Sequence, residues 1–181
     1  MRQKLFSFIY FKLLGWKTNI TVPFEDKCVI CAAPHTSNWD LFIGKLFYGA
    51  IGRRASFMMK KEWFAFPLGA FFRSIGGIPV DRGKRQSLTE QMAERFAECS
   101  EFNLAITPEG TRKANPNWKR GFYYIALKAN VPIMLIGIDY ARKTIECTKT
   151  LHPCGDYEKD IAEIKDYYRP FHGKHPENFA L

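Results

Sequence analysis

The sequence contains no apolar run long enough to cross a membrane. Its best candidate, Leu5 to Leu14, is interrupted by Lys12 and falls well short of the roughly 20 apolar residues that a spanning helix needs. Arg2 and Lys4 precede this run as in a secretion signal, but no small-x-small cleavage site follows it. We therefore predict that the protein is not an integral membrane protein.

Cysteine is scarce and irregularly spaced, with 5 residues in the chain. Cys28 and Cys31 form a C-x-x-C pair, but no second pair completes a metal site, and the helix start that redox motifs need is missing. On a strand the two side chains point to opposite faces. We predict small buried thiols in a reducing compartment, with no metal site and no cofactor.

Acidic residues are in the minority, because 18 Asp and Glu stand against 27 Lys and Arg and give a net charge of +9. Such an excess favours an anionic partner, which is a nucleic acid, an acidic membrane surface or a phosphorylated substrate. The basic residues are dispersed and no nucleic-acid motif occurs, so nucleic-acid binding is disfavoured. Hydrophobic residues make up 46% of the chain and 16 residues are Phe, more than a core of this size needs, so some are expected to face a lipid or an acyl chain.

Internal repeats, low-complexity tracts and linkers are also missing, which predicts a single domain over residues 1–181. Apolar strand patterns alternate with amphipathic helix patterns along the chain. This order predicts an α/β fold with a largely parallel central sheet flanked by helices. The pattern indicates strands near residues 28–32, 56–59, 77–80, 102–107 and 131–138, an edge strand at 144–148, and helices near 41–50, 67–74, 86–98, 121–129 and 156–168.

Residues 1–16 form an amphipathic helix pattern with Phe6, Ile9, Leu13 and Trp16 at helical spacing. Basic residues beside this apolar stripe suit a helix that lies in a membrane interface. The same stripe equally suits a helix packed on the protein's own core. Both interpretations remain open from the sequence.

The first predicted strand is followed by a loop that carries His35 and Asp40 and then by a helix. A helix N-terminus favours the negative charge of Asp40, and either Ser37 or Asn38 can cap the helix. Histidine is a suitable general base near neutral pH, and a carboxylate on its other nitrogen fixes the tautomer. We interpret His35 as a general base that Asp40 orients.

Two further charged residues, Arg82 and Glu109, also come just after predicted strands. Sites in parallel sheets form beyond the carboxyl ends of the strands. His35, Arg82 and Glu109 are therefore expected to converge on one cleft.

Four motifs in order resemble the glycerolipid acyltransferase family. They are the H-x4-D spacing of His35 and Asp40, the block GIPVDR at 77–82, PEGTR at 108–112, and VPI at 131–133. The H-x4-D spacing alone is weak, whereas the ordered set over residues 33–133 is specific. Lys60 and Lys61 before the second block also fit the family.

The resemblance implies a glycerol-3-phosphate acyltransferase-like fold and an O-acyltransferase. A fatty acyl group would pass from acyl carrier protein (ACP) or CoA to a hydroxyl of a lysophospholipid such as 1-acylglycerol-3-phosphate, without an acyl-enzyme. His35 and Asp40 would be catalytic. Arg82, Glu109, Gly110, Thr111 and Arg112 would bind the acceptor or organise the site, with Glu109 paired to Arg82 or Arg112 and with backbone N–H groups at Gly110 and Thr111 available as donors. Lys60 and Lys61 would contact the donor or lipid.

Two alternatives follow from the same resemblance. Residues 113–122 are similar to a compact bacterial subgroup, in which the acceptor can be a lyso-aminolipid such as an ornithine or glycine lipid precursor. A non-catalytic lipid-binding module is the other alternative, which the presence of both His35 and Asp40 disfavours. In each case the expected partner is an anionic membrane surface, and the expected location is the cytoplasm, peripheral on the inner face of the cell membrane.

Overall fold

A computed structural model of the chain describes residues 2–81 and 87–181. One seven-stranded sheet organises these residues, with the strand order β1-β7-β6-β2-β5-β3-β4. Strands β2 to β6 all run parallel to one another, β7 is antiparallel to β6, and β1 is parallel to β7. The predicted α/β fold with a largely parallel sheet is confirmed. The strands are β1 Lys17–Ile20, β2 Lys27–Ala33, β3 Ser56–Lys60, β4 Gly77–Val80, β5 Phe102–Ile106, β6 Ile133–Asp139 and β7 Thr144–Leu151.

Helices cover both faces of the sheet, as parallel sheets require. They are α1 Arg2–Ser7, which continues as a π-helix over Phe8–Leu13, then α2 Trp39–Ala50, α3 Leu68–Ser74, α4 Leu88–Glu98, α5 Gly121–Ala129 and α6 Tyr157–Tyr168. Short 3₁₀ helices occupy Lys61–Phe64 and Pro176–Asn178. We call residues 2–13 the N-terminal helix and residues 61–74 the aromatic hairpin.

Strand β2 separates two apolar cores, because its side chains alternate between the faces. Val29 and Cys31 pack with residues of α4, α5 and α6 on one face. Cys28 and Ile30 pack with α2 and the N-terminal helix on the other, which we call the α2 face. The two thiols of the C-x-x-C pair therefore point to opposite faces, as expected, and both are buried and free.

Two features of the sheet edge differ from the sequence prediction. Strand β7 is longer than predicted and lies inside the sheet, between β6 and β1. The edge is instead β1, which the sequence did not indicate because its four residues, Lys17–Ile20, include only one large apolar side chain. It pairs in parallel with β7, more than 120 residues further along the chain.

The N-terminal helix packs on the protein's own core with one side and exposes apolar side chains on the other. Tyr10 is fully buried, and Phe6 packs against Gly49 of α2. Gln3 and Ser7 donate hydrogen bonds to the carbonyl oxygen of Ala50. On the outer side Leu5, Phe8, Phe11 and Leu13 are exposed. Across residues 2–81 and 87–181, no helix is both long and apolar enough to cross a membrane.

Candidate active site

The loop between β2 and α2 brings His35 and Asp40 together at the carboxyl edge of the sheet. His35 Nδ1 lies 3.0 Å from Asp40 Oδ2. The His35 side chain is 22% exposed, whereas that of Asp40 is 3% exposed. One ring nitrogen is thus held by a buried carboxylate, which fixes the tautomer and leaves Nε2 for a substrate.

Asp40 is held by four donors. Its Oδ2 also accepts the backbone N–H groups of Thr36 and Ser37, each at 2.9 Å. Its Oδ1 accepts the hydroxyl of Tyr140 at 2.7 Å. The carboxylate therefore links the two ends of the loop, and the three donors other than His35 fix its orientation towards the imidazole. The expected caps of α2 are only partly observed, because the Ser37 hydroxyl accepts from Trp39 N at 3.2 Å and Asn38 makes no capping bond.

Tyr140 is a site residue that the sequence did not indicate. It follows β6 directly, so it belongs to the same carboxyl edge as His35. Burial, and then the hydrogen bond to the Asp40 carboxylate, raise the pKa of the Tyr140 hydroxyl, which remains a donor. Its place after a strand of the parallel sheet fits the rule that sites form beyond the carboxyl ends of strands, but nothing in the local sequence distinguishes this tyrosine from the others.

Glu109 lies beneath the loop that carries His35 and is 1% exposed. Both of its carboxylate oxygens accept the backbone N–H of His35, at 2.9 and 3.1 Å. Burial raises the pKa of this carboxyl to about 7, although the His35 N–H bond and the nearby His35 side chain act in the opposite direction. Of its two predicted arginine partners, Arg112 donates instead to Asn38, and Arg82 lies outside the described residues. Because Glu109 accepts this backbone N–H, its role is to hold the loop in place and not to bind a charged substrate.

The PEGTR block supplies one arginine to the rim of the site. Arg112 donates to the Asn38 side chain at the start of α2 and is exposed. Gly110 has φ +67°, and its N–H donates to Thr107 O, so it forms a turn and does not offer the expected free donor. The Thr111 hydroxyl accepts from Lys113 N at 3.3 Å. Arg112 therefore lies on the rim, where its guanidinium can bind an anionic group, whereas the N–H of Gly110 is already bonded. Arg82 lies outside the described residues.

The backbone donors near His35 are largely occupied. The N–H groups of His35, Thr36 and Ser37 serve Glu109 and Asp40. These three N–H groups hold the loop that carries His35, and they are therefore not available to stabilise an oxyanion.

A cavity of about 700 Å³ opens beside His35 between α2 and strands β3 and β5. Its lining is mainly apolar and includes Phe42, Phe57, Met59 and Ile106. Lys60 also lines it, whereas Lys61 does not and instead pairs with Asp81 at 2.6 Å. An elongated apolar group can occupy this space with its reactive end at His35.

Two residues of α2 define this cavity below the catalytic pair. A Cβ added at Gly44 would meet no atom within 4 Å, so the wall is open there. Lys45 also lines the cavity, with its ammonium donating to Ala55 O and lying 5.0 Å from the Phe57 ring centre. Burial lowers the pKa of Lys45 to about 8. The sequence did not indicate either residue.

The C-terminal segment packs against the loop that carries His35, and the sequence did not indicate this contact. His175 N donates to Thr36 Oγ1 at 3.2 Å, and Tyr140 N donates to His172 O at 2.9 Å. Gly173 packs so closely on Thr36 that an added Cβ would lie 2.6 Å from Thr36 Oγ1. Residues more than 130 positions apart thus fix the loop that carries His35.

Taken together, the geometry can remove a proton from a bound hydroxyl. A histidine with one nitrogen held by a buried carboxylate and the other free is arranged as a general base. Within the described ranges, no group of three or more His, Cys, Asp or Glu side chains is placed to hold a metal ion.

Comparison with known proteins bears on the family and the fold of the chain. A family model described as Acyltransferase matches residues 17–139, more than half of the chain. Among solved structures, the fold is similar to that of the 1-acyl-sn-glycerophosphate (LPA) acyltransferase PlsC from Thermotoga maritima. The TM-score is 0.60 at 17% identity, over 92% of this chain and 76% of that one. At this identity the likeness concerns the fold. No curated protein matches the chain.

Proposed function

Because the chain belongs to the acyltransferase family, we propose that it transfers a fatty acyl group from acyl-ACP or acyl-CoA to a hydroxyl of a lysophospholipid. An acceptor such as 1-acylglycerol-3-phosphate places this reaction in membrane lipid biosynthesis. The proposal includes no cofactor, since the thioester donor is a co-substrate.

One observation carries the proposal: a His–Asp pair at 3.0 Å stands at the mouth of a mainly apolar cavity of about 700 Å³. The pair is suited to activating a hydroxyl, and the cavity is suited to an acyl chain. An exposed arginine on the same rim suits an anionic acceptor, because a guanidinium can bind phosphate through two parallel hydrogen bonds.

In the proposed reaction His35 Nε2 takes the proton of the acceptor hydroxyl. The oxygen attacks the thioester carbonyl carbon, so a C–O bond forms and the C–S bond breaks. The leaving thiolate then takes the proton back from the imidazolium. Asp40 stabilises that imidazolium, and its four donors keep it oriented. No covalent acyl-enzyme forms, because the acceptor oxygen takes the place of an enzyme nucleophile.

The acyl chain of the donor would enter the cavity past Phe42 and lie along α2 and β3. Lys60 and Arg112, at the mouth and rim, would meet the phosphates of the donor and acceptor. Such a reaction uses acceptors that reside in a membrane, so we place the protein on the inner face of the cell membrane.

The test is an acyl-transfer assay with purified protein, acyl-ACP and acyl-CoA, and a set of acceptors read by mass spectrometry. We expect 1-acylglycerol-3-phosphate to be acylated. His35→Ala should lower kcat by at least about a hundredfold, as expected for loss of a general base. His152→Ala is the matched control, because His152 is an exposed histidine outside the site.

The acceptor set separates the proposal from its alternatives. Acylation of lyso-aminolipids alone would assign a different acceptor to the same site. No product with any donor and acceptor would favour the non-catalytic module. Full activity of His35→Ala would show that the base is assigned wrongly.

A further inference from the structure

The exposed apolar side chains are concentrated on one side of the molecule. Thirteen large apolar side chains are exposed among the described residues, and all but Tyr124 and Leu127 come from three segments. These segments are the N-terminal helix, the start of α2 and the aromatic hairpin. The eleven residues are Leu5, Phe8, Phe11, Leu13, Trp39, Leu41, Phe42, Trp63, Phe66, Leu68 and Phe71.

The three segments lie on the same face of the sheet. Tyr10 of the N-terminal helix and Phe47 of α2 share the core of the α2 face. In β4, Ile78 belongs to the opposite core, so its neighbour Gly77 faces the α2 side. An added Cβ on Gly77 would meet the ring of Phe64 and the carbonyl of Phe72, which places the aromatic hairpin on the α2 side as well.

Within the aromatic hairpin, exposure is extreme. Phe66 is 98% exposed, and Trp63, Leu68 and Phe71 are each about half exposed. Exposed apolar groups in such a cluster are unfavourable in water and mark an interaction surface. Phe64 and Phe72 pack over Gly77, whereas the exposed parts of Trp63, Phe66 and Phe71 remain in contact with water.

Charge differs between the two faces. The helical segments of the α2 side contain two acidic residues, the buried Asp40 and the exposed Glu62. Their basic residues are Arg2, Lys4, Lys12, Lys45, Lys61 and Arg73. Helices α4, α5 and α6 on the opposite side carry an acidic excess: Glu90, Glu94, Glu98, Glu158, Asp160, Glu163 and Asp166 against Arg95, Lys128, Lys159 and Lys165.

We propose that these three apolar segments on the α2 side form one docking face for an anionic lipid bilayer, with the aromatic hairpin inserted at the headgroup level. Aromatic and aliphatic side chains rimmed by lysine and arginine are the chemistry that binds such an interface. The sequence suggested residues 1–16 alone, whereas the structure adds the start of α2 and the hairpin to the same face.

The cavity beside His35 opens next to this docking face. Phe42 of the docking face and Lys60, directly before the hairpin, both line the cavity that His35 borders. A lipid that leaves the bilayer between α2 and the hairpin would therefore reach the base without crossing water. This route rests on the proposed function, but the binding itself is measured without donor or acceptor.

The experiment is sedimentation of the full chain with phosphatidylcholine vesicles, with and without phosphatidylglycerol. We expect binding that requires phosphatidylglycerol and weakens with salt. Phe66→Ser/Leu68→Ser and Phe8→Ser/Leu13→Ser should each lower the vesicle affinity by about tenfold or more, because apolar area is lost from the interface. Tyr124→Ser/Leu127→Ser, on the opposite face, is the matched control and should bind as the unmodified protein does.

A second readout uses the tryptophans, because Trp39 and Trp63 are exposed on the docking face while Trp16 and Trp118 are buried. Lipids with brominated acyl chains should quench the fluorescence of Trp63, so the quenching should fall in Trp63→Phe. This reports on depth even if a serine variant were to fold poorly.

Three results would overturn the inference. They are vesicle binding that is absent, binding that falls equally in the opposite-face control, and hairpin variants that keep vesicle affinity but lose binding to acidic acyl carrier protein. Acyl transfer to a soluble short-chain acceptor that persists without vesicle binding would refute the docking face and leave the proposed reaction intact. Vesicle binding with no acyl transfer to any acceptor would support the docking face and refute the proposed reaction.

Discussion

Asp40 connects residues that are far apart in the sequence, and Tyr140 is its most distant partner. The Tyr140 hydroxyl donates to Asp40 Oδ1 at 2.7 Å and has no role in the chemistry itself. It therefore acts as a positioning residue, which keeps the second carboxylate oxygen away from the imidazole. Its aromatic ring contacts Trp16, with ring centres 5.1 Å apart, and a phenylalanine would keep that contact.

Tyr140→Phe should lower kcat by about tenfold to a hundredfold, because a hydrogen bond to a charged group contributes roughly 1.5–3 kcal/mol. KM for donor and acceptor should stay unchanged, because Tyr140 is not among the residues that line the cavity. Steady-state kinetics with both substrates varied would check this split. An equal rise in KM would instead show general disorder of the site.

The stability control for Tyr140→Phe is Tyr48→Phe. The Tyr48 hydroxyl is buried and has no hydrogen-bond partner within the part of the chain that the structure describes. Its removal should leave the free energy of unfolding unchanged or raise it, whereas Tyr140→Phe should lower it by about 1.5 kcal/mol or more.

Glu109 gives the fold a specific pH dependence. Its folded-state pKa is raised from 4.5 to about 7, so the folded protein binds this proton more tightly than the unfolded chain does. The contribution to stability is complete below about pH 4.5 and is lost as the pH rises through about 7. The loss is at most about 3.5 kcal/mol, from about 1.4 kcal/mol per pKa unit over the rise from 4.5 to about 7.

Glu109→Gln keeps an acceptor for His35 N but cannot ionise. Urea unfolding at several values between pH 4.5 and 8 should show a flatter stability profile in this variant than in the unmodified protein. Glu158→Gln removes an exposed carboxylate of a surface ion pair with Arg120 and should keep the original profile. A profile of equal slope in Glu109→Gln would contradict the buried-carboxyl assignment.

At this scale the sequence predicted the residues whose partners are local. His35 and Asp40 are five positions apart, and the H-x4-D spacing with a strand before it and a helix after it was sufficient to pair them. For Glu109 the sequence predicted Arg82 or Arg112 as a partner and did not indicate the bond from the backbone N–H of His35, because a sequence pattern does not show which donors lie close in the fold. Tyr140 and Gly173 were missed, since each reaches the site through tertiary packing.

Helix α2 is the element that links the base to the cavity. Asp40 lies in its first turn, and Gly44 lies one turn further, about 6 Å along the axis. Gly44 lines the cavity without a side chain, so a larger residue there would reduce the space available to a ligand.

Gly44→Ala should raise the free energy of unfolding by up to about 1 kcal/mol, because glycine is unfavourable inside a helix and the added methyl meets no atom. Gly44→Phe should fill the cavity and lower kcat/KM for long acyl chains by more than about tenfold, while short chains remain substrates. A series of donors from short to long acyl groups measures this shift.

The matched control is Gly121→Ala, at the start of α5, where an added Cβ also meets no atom. It should leave the acyl-chain preference unchanged, since α5 does not line the cavity. If Gly44→Phe kept the long-chain preference, the acyl chain would not lie along α2.

The elements themselves were predictable where the chain carries a clear period. Strand β2 was predicted from its apolar run, and helix α4 from the helical spacing of its apolar residues. Strand β1 was not, because its stability comes from pairing with β7 and not from its own residues. For the same reason β7 was predicted as an edge strand although it lies inside the sheet.

On the scale of the whole molecule, the net charge of +9 predicts an anionic partner but not where it binds. Only the fold sorts the charges, since it places the N-terminal helix, α2 and the aromatic hairpin on one face and the acidic helices α4 and α6 on the other. Exposed Phe and Trp residues are spread over the first 71 positions of the sequence, and no local pattern shows that they share a face.

This arrangement predicts that salt acts on lipid encounter and not on the chemical step. Raising the ionic strength screens exposed basic groups from a bilayer but has little effect on the buried bonds of Asp40. With acceptor embedded in phosphatidylglycerol vesicles, kcat/KM should fall steeply as potassium chloride is increased. With a short-chain acceptor free in solution, kcat/KM should fall less, because only the charges at the mouth and rim of the cavity, Lys60 and Arg112, are then screened. Lys4→Glu/Lys12→Glu should mimic high salt on vesicles only. An equal fall with both acceptors would place the salt-sensitive charges at the catalytic site itself, because there the same residues would serve every substrate.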